Sequence, residues 1–348
     1  MYRTYQIAGH EVRWFKELES TNDYLVGLLK SDLRSGDGAG HDGAGSAGTG
    51  HEDGLVVVAD YQSRGKGRLG REWVAPSGRC LLVSLAVTVR GGTQFMYLAS
   101  SMAGLAAFGA CLDTAGIELD LAWPNDLYAG DRKLAGILAE VVSIPAPAAP
   151  GTAPVVGLGA AGGQSMSASQ HLARDEPDDG AGVEVASYAY PPVDIHSGAP
   201  GLARVVIGIG VDVSWPAMAA GSEISGATGN IATSLLLEAG RLIDRRVLLE
   251  RILVWFDGYL AEAASGNWLR IAQEYRERCV TIGSQVEVSM MTGGALAGTA
   301  VDIDERGRLV VEVNGRREVI SAGDVRILRR QLYRAGKPLC LSRVAGDC

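Results

Sequence analysis

Asp60-Tyr61-Gln62-Ser63-Arg64-Gly65-Lys66-Gly67-Arg68-Leu69-Gly70-Arg71-Glu72-Trp73 is the stretch from which the fold is read. Three glycines (Gly65, Gly67, Gly70) and four cations (Arg64, Lys66, Arg68, Arg71) fall within eight residues, just before an aromatic, Trp73. The apolar run Leu55–Ala59 before it has the length and composition of a buried strand. Glycines let a backbone turn sharply and approach a ligand closely, and clustered cations suit phosphate. Gly65-x-Gly67-x-x-Gly70 matches a dinucleotide fingerprint in letters only, because that motif needs a helix to open at its third glycine. Here Trp73, Pro76 and Gly78 follow, and then the strand-like run Cys80–Val89. A phosphate loop of the Gly-Lys-Ser/Thr kind also fails, since neither hydroxyl follows a Gly-Lys pair. Two readings stay open: a solvated surface turn, or a cationic loop that folds over an anionic, nucleotide-like ligand.

The chain as a whole is acidic, with 348 residues, a net charge of -8 and an isoelectric point near 5.3. That balance speaks against a general nucleic-acid binder. Its length and 47% hydrophobic content allow one large and one small domain. No run of about 18 apolar residues is present, and the N-terminal MYRTYQIAGHEVRWF lacks an apolar signal core. The five cysteines are widely spaced and odd in number, and the five histidines are scattered. Neither a disulfide framework nor a zinc site follows from them, so a reduced, cytoplasmic protein without a structural metal is expected.

Residues 1–19 alternate weakly and predict edge strand. Ser20-Thr21-Asn22 then precede a helical pattern over Asp23–Lys30. A hydroxyl there caps the helix by its commonest use, which leaves the other hydroxyl and Asn22 for a ligand. Ser35–Asp53 holds seven glycines in nineteen residues and reads as an insert. Phe95–Leu112 has small and apolar residues at helical spacing. Leu119–Pro124 predicts a short strand running into Trp123-Pro124-Asn125-Asp126, and Leu134–Val142 a returning one. Asn125, Asp126 and Lys133 serve either as turn residues or as a polar group facing across that hairpin. Ile144–Ala203 contains eight of the twelve prolines and reads as a second insert. The apolar strand Arg204–Val213 carries Gly208 and Gly210. Helical patterns cover Ile231–Glu238, Asp244–Ala264 and Asn267–Arg278. From Ser284 to Leu328, short β-like runs alternate with turns, Asn314-Gly315 among them, and predict a separate small barrel or sandwich.

In order and spacing, Ser20-Thr21-Asn22, Asp60-Tyr61-Gln62, the Gly65–Trp73 loop, Trp123-Pro124-Asn125-Asp126, Lys133-Leu134-Ala135-Gly136-Ile137-Leu138 and Ile207-Gly208-Ile209-Gly210 resemble the biotin–protein ligase family. The resemblance implies an α+β fold: a central mixed β-sheet with packed helices, of the class II synthetase-like biotin/lipoate ligase type, followed by an SH3-like β-barrel. Residues 1–280 would be the catalytic domain, with inserts at 35–53 and 145–203. Residues 281–330 would be the barrel and 331–348 a tail. The stretch before Ser20 is too short for the DNA-binding domain some members carry, so no DNA partner is expected.

The reaction implied has two steps. Biotin attacks the ATP α-phosphate to give biotinyl-adenylate, and a lysine of a carboxylase's biotin carboxyl-carrier domain then takes the biotin. The acceptor would belong to acetyl-CoA, propionyl-CoA or pyruvate carboxylase. The substrates are biotin and ATP, with Mg2+ riding on the phosphates and no metal fixed by protein ligands alone. No membrane partner is implied, and a homodimer is compatible. By resemblance, Lys133, Arg68 and Asp126 are catalytic. Ser20, Thr21, Asn22, Gln62, Gly65, Lys66, Gly67, Arg68, Lys133, Gly136 and Gly208 surround biotin, while Arg68, Arg71, Trp73, Asn125, Lys133 and Asp212 surround the adenylate. The chain departs from the family at Ala122, usually lysine, at Asp212, usually asparagine, and at Lys66, often arginine. Other readings are a lipoate-type ligase, which Gln62 and the loop disfavour, and a catalytically weak biotin-binding relative, which Ala122 and Asp212 favour.

Overall fold

The computed structural model describes residues 1–35, 54–90, 94–143, 202–215, 232–290, 294–305, 307–321 and 323–329. The two expected inserts fall outside these residues, except that Ser35 closes a helix and Leu202–Ala203 open a strand. The expected tail lies outside as well.

An eight-stranded mixed sheet forms the body of the protein. Its strands are β1 (Tyr2–Ile7), β2 (His10–Leu18), β3 (Val56–Gln62), β4 (Cys80–Arg90), β5 (Asp120–Ala122), β6 (Asp126–Ala129), β7 (Arg132–Ser143) and β8 (Leu202–Asp212). They lie in the order β1-β2-β3-β4-β8-β7-β6-β5, antiparallel throughout except for β2 with β3. The first nineteen residues therefore make a hairpin rather than one edge strand, turning through Ala8 and Gly9 at positive φ.

The central strands are apolar on both faces because both faces are covered. On one side Val57, Ala86 and Val206 meet Leu25 and Leu29 of helix α1 (Thr21–Ser35). On the other, Val56, Val58, Leu85, Val205 and Ile207 join a larger core with α2 (Gln94–Ala115), α4 (Arg245–Ala264) and α5 (Trp268–Arg278). A short α3 (Leu235–Ala239) precedes α4. Tyr97–Ala115 is long and apolar enough by composition to cross a membrane. It packs instead as a core helix, and its alanines Ala99, Ala103, Ala106, Ala107 and Ala110 are fully buried. Asp244 caps α4 by accepting the Arg246 N–H at 2.7 Å.

A second sheet follows, with strands β9 (Gln285–Ser289), β10 (Ala295–Ile303), β11 (Leu309–Val313), β12 (Arg316–Ile320) and β13 (Asp324–Arg329) in the order β12-β11-β10-β9-β13. Asn314 and Gly315, both at positive φ, make the two-residue turn between β11 and β12 as the Asn-Gly pair predicts. This is the expected SH3-like module, and it docks on the turn after β5 and on α2. The Trp123 backbone N–H donates to Thr281 Oγ1 at 2.9 Å and its indole N–H to the Gly307 carbonyl at 2.8 Å, while the Tyr97 hydroxyl donates to the Ser321 carbonyl at 2.6 Å.

Candidate active site

A cleft of about 1290 Å³ opens where β3 and β8 end and β7 begins, between the glycine-rich loop and the second sheet. Ser20 is a cap after all: its side chain accepts the Asp23 N–H at 3.3 Å and its carbonyl the Tyr24 N–H at 3.1 Å. Capping starts α1 where Thr21 and Asn22 turn inward, and both are buried. Thr21 N–H donates to Gln62 Oε1 at 2.7 Å, and the Thr21 hydroxyl lies 2.9 Å from the same oxygen. Ser84 Oγ, fully buried on β4, lies 2.7 Å from Thr21 Oγ1 and donates to Asn22 Oδ1 at 2.6 Å. Asn22 Nδ2 in turn donates to Glu140 Oε2 at 2.6 Å, which fixes the orientation of its amide. Asn22 fits because residue 208 is glycine, since a Cβ there would stand 2.3 Å from Asn22 Oδ1.

The loop is already folded. Gly67 N–H donates to the Arg71 carbonyl at 2.7 Å and Trp73 N–H to the Gly65 carbonyl at 2.9 Å. Three of its cations face carboxylates on other elements: Arg64 meets Glu19 at 3.3 Å, Lys66 contacts Asp23, and Arg71 contacts Asp324 of β13. The concentrated positive field expected of this stretch is thus largely neutralised. Arg68 points into the cleft and reaches Asn125 Oδ1 at 3.4 Å. Gly65 stands behind the lining, where a Cβ would come within 2.3 Å of the Trp73 carbonyl oxygen.

Trp73 lies flat on β7 and β8, over Gly136 and Gly210. A Cβ on Gly210 would come within 2.8 Å of the indole. The Lys133 ammonium sits 5.8 Å from the Trp73 ring centre and 2.7 Å from Asp126 Oδ1. Trp73 Nε1 is buried with no hydrogen-bond partner among the described residues. Asn125 is held to β7 by its Nδ2, which donates to the Ile137 carbonyl at 2.7 Å. Its turn role and its place in the cleft therefore coexist.

Asp212 ends β8, 8% exposed, and accepts from the Cys80 thiol at 3.2 Å. Burial pushes its carboxyl up to about 7, opposed by that thiol contact and by the Lys133 charge. Ala122, the position where the resemblance expects lysine, also lines the cleft. The lining therefore carries five cations (Lys66, Arg68, Arg71, Lys133, Arg326) against six acids (Glu72, Asp126, Asp131, Asp212, Glu287, Asp324).

Every expected site residue except Gly65 lines this one cleft. Sequence reasoning passed over Ser84 and Glu140, whose signal is a lone polar residue within an otherwise apolar strand. It also passed over the wall contributed by β9 and β13, which no local pattern announces.

Known proteins resemble the chain in sequence and in fold. The Biotin/lipoate A/B protein ligase family model matches residues 48–158, and the Biotin protein ligase C terminal domain model matches residues 281–327. A biotin--[acetyl-CoA-carboxylase] ligase of Mycobacterium tuberculosis (strain ATCC 25618 / H37Rv) is 30% identical over 281 residues, covering 80% of each chain. One from Paracoccus denitrificans is 26% identical over 272 residues, 77% of this chain and 88% of its own. Among solved structures, a biotin protein ligase from Aquifex aeolicus in complex with biotin and ATP is similar at a TM-score of 0.56. It is 20% identical, covers 91% of this chain and 98% of its own, and so bears on the fold alone. With a relative at that identity and coverage, the chain belongs to the biotin protein ligase family and is a ligase enzyme.

Proposed function

We propose that the enzyme joins biotin to ATP as biotinyl-5'-AMP, releasing pyrophosphate, and then transfers the biotin to a lysine of a carboxylase biotin-carrier domain. The observation that carries this reading is the Lys133–Asp126 pair, at 2.7 Å, in the same cleft as the polar network of Thr21, Asn22, Gln62 and Ser84. That network offers donors and acceptors suited to the ureido ring of biotin. A lipoyl dithiolane has no polar edge to meet them, and so fits this wall less well. Lys133 lies at the start of β7, where a cation can offset the repulsion between the biotin carboxylate and the α-phosphate. Arg68 adds a second positive group from the loop. In the transfer step Asp126, already an acceptor for Lys133, is placed to orient the incoming amine. Water exclusion by the folded loop protects the mixed anhydride.

Mg2+ enters on the triphosphate, where it offsets phosphate charge. The buried carboxyl of Asp212, raised to about 7, is in good part protonated at neutral pH and can then donate a hydrogen bond as an asparagine amide would. Acetyl-CoA, propionyl-CoA and pyruvate carboxylase carriers are all candidate acceptors, and a homodimer is compatible with the fold. The free, buried thiols of Cys80, Cys111 and Cys279 fit a reduced cytoplasmic setting.

Ala122 and Asp212 favour a second reading, a weakly active biotin binder. Incubation with ATP, biotin and each carrier domain, followed by mass measurement of the carrier, separates the two. A biotin-sized mass gain in catalytic time supports the ligase. Tight biotin binding without pyrophosphate release or mass gain would sink it.

A further inference from the structure

Behind the wall of the cleft runs a chain of hydrogen bonds that ends on a carboxylate. Glu140, on β7, is not among the residues that line the cleft. It stands opposite Val206, on the sheet face that packs on α1. Its neighbours on that face, Val142 and Val206, are apolar and join a core with Leu25, so packing alone gives no reason for a carboxylate there. Its Oε2 instead accepts from the buried Asn22 amide at 2.6 Å.

This end sets the direction of the whole chain. Asn22 Nδ2 faces Glu140 Oε2 and, at a longer 3.3 Å, the Leu138 carbonyl. Both partners only accept, so the amide nitrogen must point at them and Oδ1 must point at Ser84. The Ser84 hydroxyl has one proton, and Asn22 Oδ1 at 2.6 Å takes it. Thr21 Oγ1, 2.7 Å from Ser84 Oγ, therefore receives no proton from Ser84. It gives its own proton, either to Ser84 or to Gln62 Oε1 at 2.9 Å, and keeps lone pairs for the cleft, which Thr21 lines. An oxygen poised in this way takes a ligand N–H and turns away a ligand edge that can only accept.

Resting on the ligase reading above, we propose that Glu140 is a positioning residue for biotin. By holding the Asn22 amide it fixes the direction of each hydrogen bond through Ser84 to Thr21, and so keeps the Thr21 hydroxyl oxygen an acceptor for a ureido N–H. Without Glu140 the amide can turn over. The Ser84 proton can then pass to Thr21 and occupy the lone pair that biotin needs. Glu140 itself touches neither biotin nor ATP.

Equilibrium binding of biotin, of desthiobiotin and of a non-hydrolysable ATP analogue, to wild type, E140Q, E140A, S84A and the double variant E140A/S84A, tests this. E140A is expected to weaken biotin about tenfold, as for one hydrogen bond lost from a buried network. Desthiobiotin, which keeps the ureido ring and lacks the thioether, should lose the same factor. E140Q should stay within about threefold of wild type, because its amide oxygen still accepts from Asn22. S84A should match E140A, and the double variant should be no worse than either single change, since a chain broken once has no direction left to lose. ATP-analogue affinity should not move in any of them, and pyrophosphate release should show a higher KM for biotin with kcat kept. Should E140A not fold, S84A carries the test by itself.

Biotin affinity in E140A, or in S84A, equal to that of wild type would overturn the proposal and leave the ligase reading intact. So would equal losses in E140Q and E140A, losses that multiply in the double variant, or a parallel loss of the ATP analogue, each of which is what a merely structural role gives. A wild-type protein that binds neither biotin nor desthiobiotin would remove the ligase reading, and the proposal with it.

Discussion

Lys133 is held by a single short ion pair to Asp126 and is about a quarter exposed, so it contributes little to folding. Lys133→Ala should lower biotin-dependent pyrophosphate release by about 10²-fold or more and move the unfolding midpoint little. Release at the wild-type rate would return Lys133 to a turn residue. Asp212 makes a different prediction, because its carboxyl is raised to about 7 in the folded chain. Below about pH 4 both states carry the proton, and burial of Asp212 has no ionisation penalty. Between about pH 4 and 7 only the unfolded state loses the proton, so stability falls as pH rises, and above 7 the loss levels off. Asp212→Asn should remove this slope. In urea titrations its advantage over wild type should grow from pH 4 to 7, to a few kcal/mol at most, and stay flat above. A constant difference across that range would mean that Asp212 is not the titrating group.

At the level of elements, the loop and β13 are joined by Arg71 and Asp324. Asp324→Ala should barely change the melting temperature, since both side chains are about a third exposed, yet it should free the loop on that side. The measurement is leakage of preformed biotinyl-adenylate, expected to quicken several-fold. Leakage unchanged from wild type would mean that the contact does not fasten the loop. The strands and helices themselves were legible in the sequence wherever a local signal exists. The Asn314-Gly315 turn, the cap before α1 and the apolar faces of α2 and α4 are short-range features, and each is where its pattern places it. Partner choice was not legible. Arg71 and Asp324 are 253 positions apart, and only the docking of the second sheet brings them together. Four cations in eight residues therefore read as an open positive patch, while the fold pairs three of them. Ser84 went unread for a related reason: one hydroxyl in an apolar strand has meaning only once Thr21 and Asn22 are seen against it.

Across the whole molecule, β7 and β8 pair along their length, with Ser143 opposite Arg204. The ends of the long second insert region therefore start side by side. Replacing residues 145–201 with a short Gly/Ser turn should leave both the melting temperature and carrier biotinylation close to wild type, because closing a shorter loop costs less. Failure to fold would show that the segment packs on the body. The loop has a consequence at the same scale. It is fastened at Glu19 and Asp23 at one end and at Asp324 on the second sheet at the other, so its charge serves as fastening more than as bait. Such a loop exerts little pull at a distance, and the rate at which ATP is captured from solution should depend only weakly on salt. The fastenings are partly exposed and screened over about 10 Å at 0.1 M ionic strength. Added salt should therefore act on the other side of the balance, shortening the time for which the enzyme keeps its reactive intermediate.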